Sequence, residues 1–303
     1  MRILVVGASG LIGQHVVERL RALGHEATTA ARTARGGVDH ALDATLASGA
    51  EFRSLLAGHD GVVFAAGADD REVPRRPAYS VFHRGNVAPV VRLLAAAREE
   101  GLTRAVVLGS YYTHFHREHP DWRLAERHPY IRSRVEQARL GRTAAGPDLP
   151  VAVLELPFVF GRARDRLPNW AEPLDRWVRS GSPLVAPPGG SAATTARRVA
   201  EVAVDALERA SGEDIPVADE NLTWSRMIGR VAEAAGRPRP VRGLPGAVVR
   251  AALWSTWAVH AVRGRQSGLD PRHLGGLLLR ELFVPVARSG SVDAAIEETF
   301  PRG

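Results

Sequence analysis

The sequence predicts an α/β protein: a doubly wound parallel sheet with a smaller C-terminal region. Three observations carry that reading. Short unbroken apolar runs alternate with amphipathic stretches through the first half of the chain, as strands buried on both faces alternate with crossover helices. A glycine loop, Gly7-Ala8-Ser9-Gly10-Leu11-Ile12-Gly13, lies between the first apolar run and the first helical stretch. After Pro157 the composition changes: Pro and Gly thicken, and Trp170 and Trp177 appear.

In chain order, residues 2–6 read as a strand that enters Gly7. Ile12, Val16, Leu20 and Leu23 then recur on one helical face, and Gly24 stops that helix. A second strand is expected over 27–31, a buried strand over 61–66, a helix over 87–99 and a strand over 105–108. A helix over 129–139 and a strand over 151–154 continue the alternation. Beyond Pro157, a helix over 195–209 sets Val199, Val202, Ala206 and Leu207 on one side. Another, over 225–235, has Thr223 as its cap and Gly236 as its stop. Trp170, Trp177, Trp254 and Trp257 are expected in the core of the smaller region. The division expected is a nucleotide-binding domain over 1–157, rejoined by 193–210, with a substrate-binding region over 158–192 and 211–303.

Composition removes several classes of function. The 303 residues are 45% hydrophobic and 24% charged, an ordinary globular balance. With no cysteine there is no disulfide, thiolate metal site or cysteine nucleophile. All 40 basic residues are arginine, so no lysine can form a Schiff base. The net charge of +7 is spread along the chain, without the aromatic interleaving of a nucleic-acid groove, and no nucleic-acid partner is expected. The first apolar run is too short for a signal peptide. The stretch 247–262 contains Arg250 and His260 and falls short of a membrane span. The expectation is a soluble cytoplasmic protein with a small-molecule substrate and no membrane partner.

Each glycine of the loop has a physical task. Gly7 permits the tight turn, Gly10 lets backbone approach a diphosphate, and Gly13 lets the helix lie close on the strand. The helix N-terminus then offers free N–H groups and a positive dipole end. In this strand–loop–helix setting the motif predicts a Rossmann-type dinucleotide fold, with Ser9, Leu11 and Ile12 completing the cradle. The second strand ends Ala30-Ala31-Arg32-Thr33-Ala34-Arg35, with no carboxylate to hold a ribose 2′-hydroxyl. Arg32 can pair with a 2′-phosphate instead, so NADP is expected over NAD.

Taken together, several features resemble the extended short-chain dehydrogenase/reductase family, above all its epimerase/dehydratase-like members. These are the glycine spacing, the run Asp60-Gly61-Val62-Val63-Phe64-Ala65-Ala66-Gly67, Asn86-Val87, Ser110, and Tyr130 four residues before Arg134. The resemblance implies Ser110, Tyr130 and Arg134 as the catalytic group. It places Asp43, Ala44, Ala65, Ala66, Gly67, Asn86 and Pro157, with Tyr130 and Arg134, along the cofactor, and it implies a homodimer.

The chemistry of these residue types is coherent. A tyrosine can exchange a proton with a carbonyl or alcohol oxygen if its pKa, about 10 when free, is lowered, and a cation one helical turn away favours the phenolate. Ser110 would orient the substrate oxygen. Arg134 stands where the family has lysine. Phe158 stands where its nucleotide-sugar members tend to have asparagine, and Tyr111-Tyr112 follow Ser110 in place of Asp-Glu. These departures argue against a nucleotide sugar. Tyr112, His116 and Phe158 are expected to border the substrate. His114, His116 and His119 fall in an expected loop without a metal-ligand pattern, so no metal is expected. The expected activity is NADP-dependent hydride transfer to or from a small carbonyl or alcohol. The alternatives are a redox-neutral epimerase or dehydratase with retained cofactor, and a non-catalytic NADP-binding sensor or interaction protein.

Overall fold

The computed structural model describes residues 1–33, 37–287 and 290–302. Its central sheet contains β1 (Arg2–Val6), β2 (Glu26–Ala31), β3 (His40–Ala41), β4 (Gly61–Phe64), β5 (Arg104–Leu108), β6 (Val151–Glu155) and a last strand, Asp214–Pro216. The spatial order is Asp214–Pro216, β6, β5, β4, β1, β2, β3. All the pairings are parallel. This is the doubly wound arrangement, with its switch point between β1 and β4, where the glycine loop emerges.

Apolar strands fold this way because both sheet faces are covered. On one face, Val16, Val17 and Leu20 of the glycine-loop helix (Leu11–Ala22) and Val199, Ala203 and Leu207 of the Ala196–Glu208 helix bury Ile3, Val5, Val63 and Val106. On the other, Phe52, Val90, Leu93, Leu94 and Ala145 cover Leu4, Val62, Ala105 and Val153. Each buried Val, Leu, Ile or Phe among them contributes about 2 kcal/mol by leaving water.

The Pro129–Ala145 helix outruns its expected end at 139. Gly141 lies within it and lets the helix approach its neighbour: a Cβ there would lie 3.0 Å from Val90 and 3.1 Å from Leu94. The helix stops at Gly146, whose φ is +73°.

A second sheet orders Glu220–Thr223, Gly190–Thr195 and Glu281–Leu282, with Phe158–Phe160 also paired to the Gly190–Thr195 strand. Phe160, Trp224, Val231, Ile296 and Phe300 form its core, and Trp170 and Trp177 pack on them as expected.

Three expectations need correction. Strand Asp214–Pro216, assigned to the substrate-binding region, pairs with β6 and extends the large sheet, because β6 would otherwise leave an open edge. Trp254 and Trp257 are not in the core: they meet edge-to-face at 5.4 Å on an open helix, Gly246–Val262, and Trp254 is exposed. The histidine stretch is not a loop but the helix Tyr112–Glu118, because Tyr112 and Phe115 recur at helical spacing and bury one face.

Candidate active site

The cradle is built almost wholly from backbone. Gly7 has φ +89°, and a Cβ there would meet the Ala65 carbonyl oxygen at 2.6 Å. At Gly13 a Cβ would lie 2.2 Å from the Gly7 carbonyl oxygen, so helix and loop touch without side chains between them. Gly10 caps the glycine-loop helix with no side-chain hydrogen bond, leaving first-turn N–H groups of Leu11, Ile12 and Gly13 directed along the dipole. The Gln14 side chain donates to the Ser9 carbonyl at 3.2 Å and steadies the loop. These features fit a diphosphate. Ala65, Ala66 and Gly67 follow β4 beside this loop, Ala65 donating its N–H to Val6. Arg32 is exposed one residue past β2, and its charge helps hold the Asp43 carboxylate below its ordinary range, after the Thr45 hydroxyl that bonds it at 2.7 Å. Ala44 is buried beside Asp43. Ala34 and Arg35 lie outside the described residues.

Tyr130 and Arg134 share one face of the Pro129–Ala145 helix, as their spacing requires. Arg134 Nε donates to the Tyr130 hydroxyl at 3.1 Å. Arg134 Nη1 donates to the Leu108 carbonyl at 3.2 Å and to Gln137 Oε1 at 3.0 Å, and Nη2 reaches the Ala68 carbonyl at 3.5 Å. Ser110, buried at the end of β5, lies close enough to the same phenol for its hydroxyl to favour the phenolate. The three expected catalytic side chains therefore meet.

The electrostatic balance differs from the expectation of a lowered tyrosine pKa. Burial pushes the Tyr130 phenol above its ordinary value; Arg134 pulls it down, Asp70 pushes it up, and the Ser110 hydroxyl helps Arg134. Desolvation outweighs a single guanidinium shared among four acceptors.

Asn86 is fully buried, and its amide is occupied. Its Oδ1 accepts from Ala68 N–H at 2.8 Å and its Nδ2 donates to Ser133 Oγ at 3.0 Å. Gln137 donates to the Asn86 carbonyl at 3.1 Å. Asn86 thus clamps the loop after β4 to the tyrosine helix. A Cβ at Gly67 would lie 2.8 Å from Asn86 Oδ1 and 3.1 Å from Arg134, so only glycine passes between them.

On the substrate side, Tyr112 meets Tyr130 edge-on at 6.4 Å and Phe158 packs on Trp170 and Trp224, each at 5.4 Å. Half-buried Pro157 joins β6 to the Phe158 strand, beside the Leu156 carbonyl that accepts from Tyr111 N–H at 3.1 Å. His116 is half-buried on the Tyr112–Glu118 helix, where burial and the Arg117 charge lower its pKa and Glu126 opposes them. The three histidines separate: His114 lies 3.8 Å from Glu155, and His119 stacks on Trp122 at 4.1 Å. Among the described residues, no three His, Asp or Glu side chains converge as a metal site would require.

Sequence reasoning missed three parts of the site. The first is the loop Asp69-Asp70-Arg71. Burial lifts the Asp70 carboxyl to about 6 against the pull of Arg71, and its charge reaches Tyr111, Tyr112 and Tyr130. The Arg71 guanidinium sits 6.0 Å over the Phe158 ring, and Asn169 donates to Asp69 at 3.1 Å, so this loop bridges to the smaller region. The second is Glu155, wholly buried at the end of β6 and gripped by Arg117 through two bonds of 2.6 and 2.9 Å. The Thr113 hydroxyl lies within bonding distance of both Glu155 and the Ser110 carbonyl, so the ion pair steadies the serine turn. The acidic residue closing an apolar strand was the available signal. The third is Gly268, whose carbonyl accepts from Tyr130 N–H at 3.0 Å while the residue packs on Phe82. Nothing local marks it, since it lies 138 positions from the tyrosine.

The family model described as the NAD dependent epimerase/dehydratase family matches residues 3–179. No curated protein gives a significant match. Among solved structures, UDP-N-acetylglucosamine 4-epimerase from Bacillus cereus is 16% identical, with 99% of this chain and 98% of that one covered and a TM-score of 0.66. The protein gox2253 is 17% identical over 98% of this chain and 96% of its own, with a TM-score of 0.75. MoeE5 in complex with UDP-glucuronic acid and NAD is 19% identical over 80% and 85%, with a TM-score of 0.61. These likenesses agree with the doubly wound fold.

Proposed function

We propose that this chain, which belongs to the NAD-dependent epimerase/dehydratase family of nicotinamide-dependent enzymes, is an NADP-preferring oxidoreductase acting on a small carbonyl or alcohol. The single observation that carries the reading is the meeting of Ser110, Tyr130 and Arg134 at the carboxyl ends of the strands beside the glycine cradle. Gly7, Ser9, Gly10, Leu11, Ile12 and Gly13 hold the diphosphate, and Arg32 takes the 2′-phosphate. Asp43 and Ala44 lie toward the adenine. Ala65, Ala66, Gly67 and Pro157 border the rest of the nucleotide, with Asn86 securing Gly67 from behind. The bound nicotinamide supplies or accepts a hydride.

The protein's own share is proton management and orientation. Ser110 holds the substrate oxygen, and the Tyr130 hydroxyl delivers a proton to that oxygen in reduction or removes it in oxidation. Arg134 stabilises the phenolate left behind. A phenol whose pKa is raised by burial starts protonated, which suits the reductive direction. Tyr112 and Phe158 give the substrate side an aromatic wall with little to recognise a nucleotide sugar. Residues 1–157 with 193–210 and the strand Asp214–Pro216 form the cofactor domain in this reading, and two copies pair through its helices.

The test is titration with NADPH and NADH, followed by incubation of the NADPH complex with small aromatic and aliphatic ketones while absorbance at the reduced nicotinamide band is followed. Tighter binding of NADPH and loss of that band with a ketone are expected. Equal affinities would remove the 2′-phosphate assignment. Nucleotide that copurifies and is never consumed would replace the reading with the redox-neutral one, and binding indifferent to Tyr130→Phe with no turnover would indicate a sensor.

A further inference from the structure

The most apolar helix of the C-terminal region is also the least covered. Gly246–Val262 has 17 residues, of which Val249 is the buried one. Val248, Trp254 and Val259 lie open, and Val262 is 90% exposed. The helix leans along one edge on the helix Pro271–Leu278, where Gly275 admits the Arg250 and Leu253 side chains. A helix apolar on all sides belongs in a core or in lipid. Exposed apolar surface of this extent marks a docking site.

The surrounding charge selects what docks. Residues 234–269 include six arginines and no carboxylate. At the C-terminal end of the helix, a cavity of about 140 Å³ is lined by Trp257 and His260 together with Arg76, Arg265 and Arg272. Asp270 neutralises Arg272 through bonds of 2.7 and 3.1 Å, which leaves Arg76 and Arg265, both exposed, as the net charge. The negative end of the helix dipole, roughly half a charge, falls at the same place and is exceeded by these two arginines. A second copy seated on the helix would set arginine against arginine. An anionic lipid surface satisfies both parts: its apolar boundary takes Trp254, Val259 and Val262, and its headgroups take the arginines.

We propose that the Gly246–Val262 helix docks on anionic phospholipid membranes, with a headgroup phosphate held between Arg76 and Arg265. Among the described residues no helix is long and apolar enough to cross a membrane, but lying on a surface requires no such length. The expectation of no membrane partner rested on the want of a signal peptide or a spanning stretch, since 247–262 is short and contains Arg250 and His260. The turn that follows the helix continues to Gly268 beside Tyr130, so the docked surface adjoins a wall of the candidate active site.

Flotation of the full chain with phosphatidylcholine vesicles, with and without phosphatidylglycerol, tests this. The chain should float with the anionic vesicles at least tenfold better than with neutral ones, and its tryptophan emission should shift to the blue. Each arginine contributes about fivefold in partitioning, so Arg76→Gln with Arg265→Gln should erase most of that preference. Trp254→Ser with Val262→Glu should lower binding to both vesicle types, with NADPH affinity unchanged as evidence of folding. Failure to float with anionic vesicles would overturn the proposal. So would a double Trp254/Val262 variant that floats as well as the parent, or inorganic phosphate binding without flotation. Dimerisation in lipid-free solution abolished by the same variant would assign the face to a second copy instead.

Discussion

The two sides of the cleft are held by opposite means. The glycine cradle is backbone against backbone: Gly13 approaches Gly7 with no side chain between, and its ligand groups are N–H dipoles fixed by the helix. The Tyr130 side is made of side chains from distant segments, with Arg134, Gln137, Asn86, Ser133 and Ser110 each using their hydrogen-bonding capacity on one another or on loop backbone. The lesson is one of tolerance. A backbone cradle depends on the absence of atoms, whereas a side-chain network depends on the presence of particular ones. The first should fail all at once and the second in steps.

The largest expected effect is therefore at Gly13. Gly13→Val cannot fit against the Gly7 carbonyl, and nicotinamide nucleotide binding should be lost altogether by calorimetry, with thermal stability reduced as well. Measurable binding near parental affinity would show that the loop yields, and the contrast would collapse.

Tyr130→Phe should lower turnover by about 10²- to 10⁴-fold while NADPH affinity stays within a few fold. Turnover near parental levels would take the phenol out of the chemistry.

The next effect is in stability. Buried His128 accepts from Asp270 N–H at 3.0 Å, and burial, with His273 adding to it, pushes its pKa down to about 4. The neutral ring is the native form. A depressed pKa gives a contribution complete above about 6.5, the unfolded value, and lost as pH falls toward 4, of the order of 3 kcal/mol. Thermal melts between pH 7 and 4 should show the decline, and His128→Asn should flatten it. An unchanged slope in the variant would assign the decline to other groups.

Arg134→Lys keeps the charge but cannot serve the phenol and two carbonyls with one planar fork. Turnover should fall about tenfold. Equal or better activity would mean that the guanidinium network is incidental. Smallest of all, Arg32→Ala should leave NADH affinity alone and weaken NADPH by a few fold to tenfold, because the residue is exposed and its ion pair would be shared with water.

Much of this molecule was legible in its order of residues. Unbroken apolar runs located the strands, since burial on both faces leaves no polar position. Glycines seven, ten and thirteen located the cradle, and an i, i+4 spacing put Tyr130 and Arg134 on one face. These are local signals, complete within a turn or a strand. The end of the Tyr130 helix was placed too early, at 139, because Gly141 lets two helices approach and the helix runs on through it. Tyr112 and Phe115 were the visible helical pattern in a stretch taken for a loop, masked by the weak helix propensity of the histidines around them.

What the chain's order determined, then, was the doubly wound sheet, the glycine loop and the shared helix face of Tyr130 and Arg134, because each rests on periodicity or spacing over a few residues. Tertiary structure alone decided that burial outweighs Arg134 at the phenol, that Asp70 and Gly268 join the site, and that Trp254 meets solvent. Those outcomes depend on desolvation and on contacts between segments far apart in sequence, and neither quantity exists until the chain has packed.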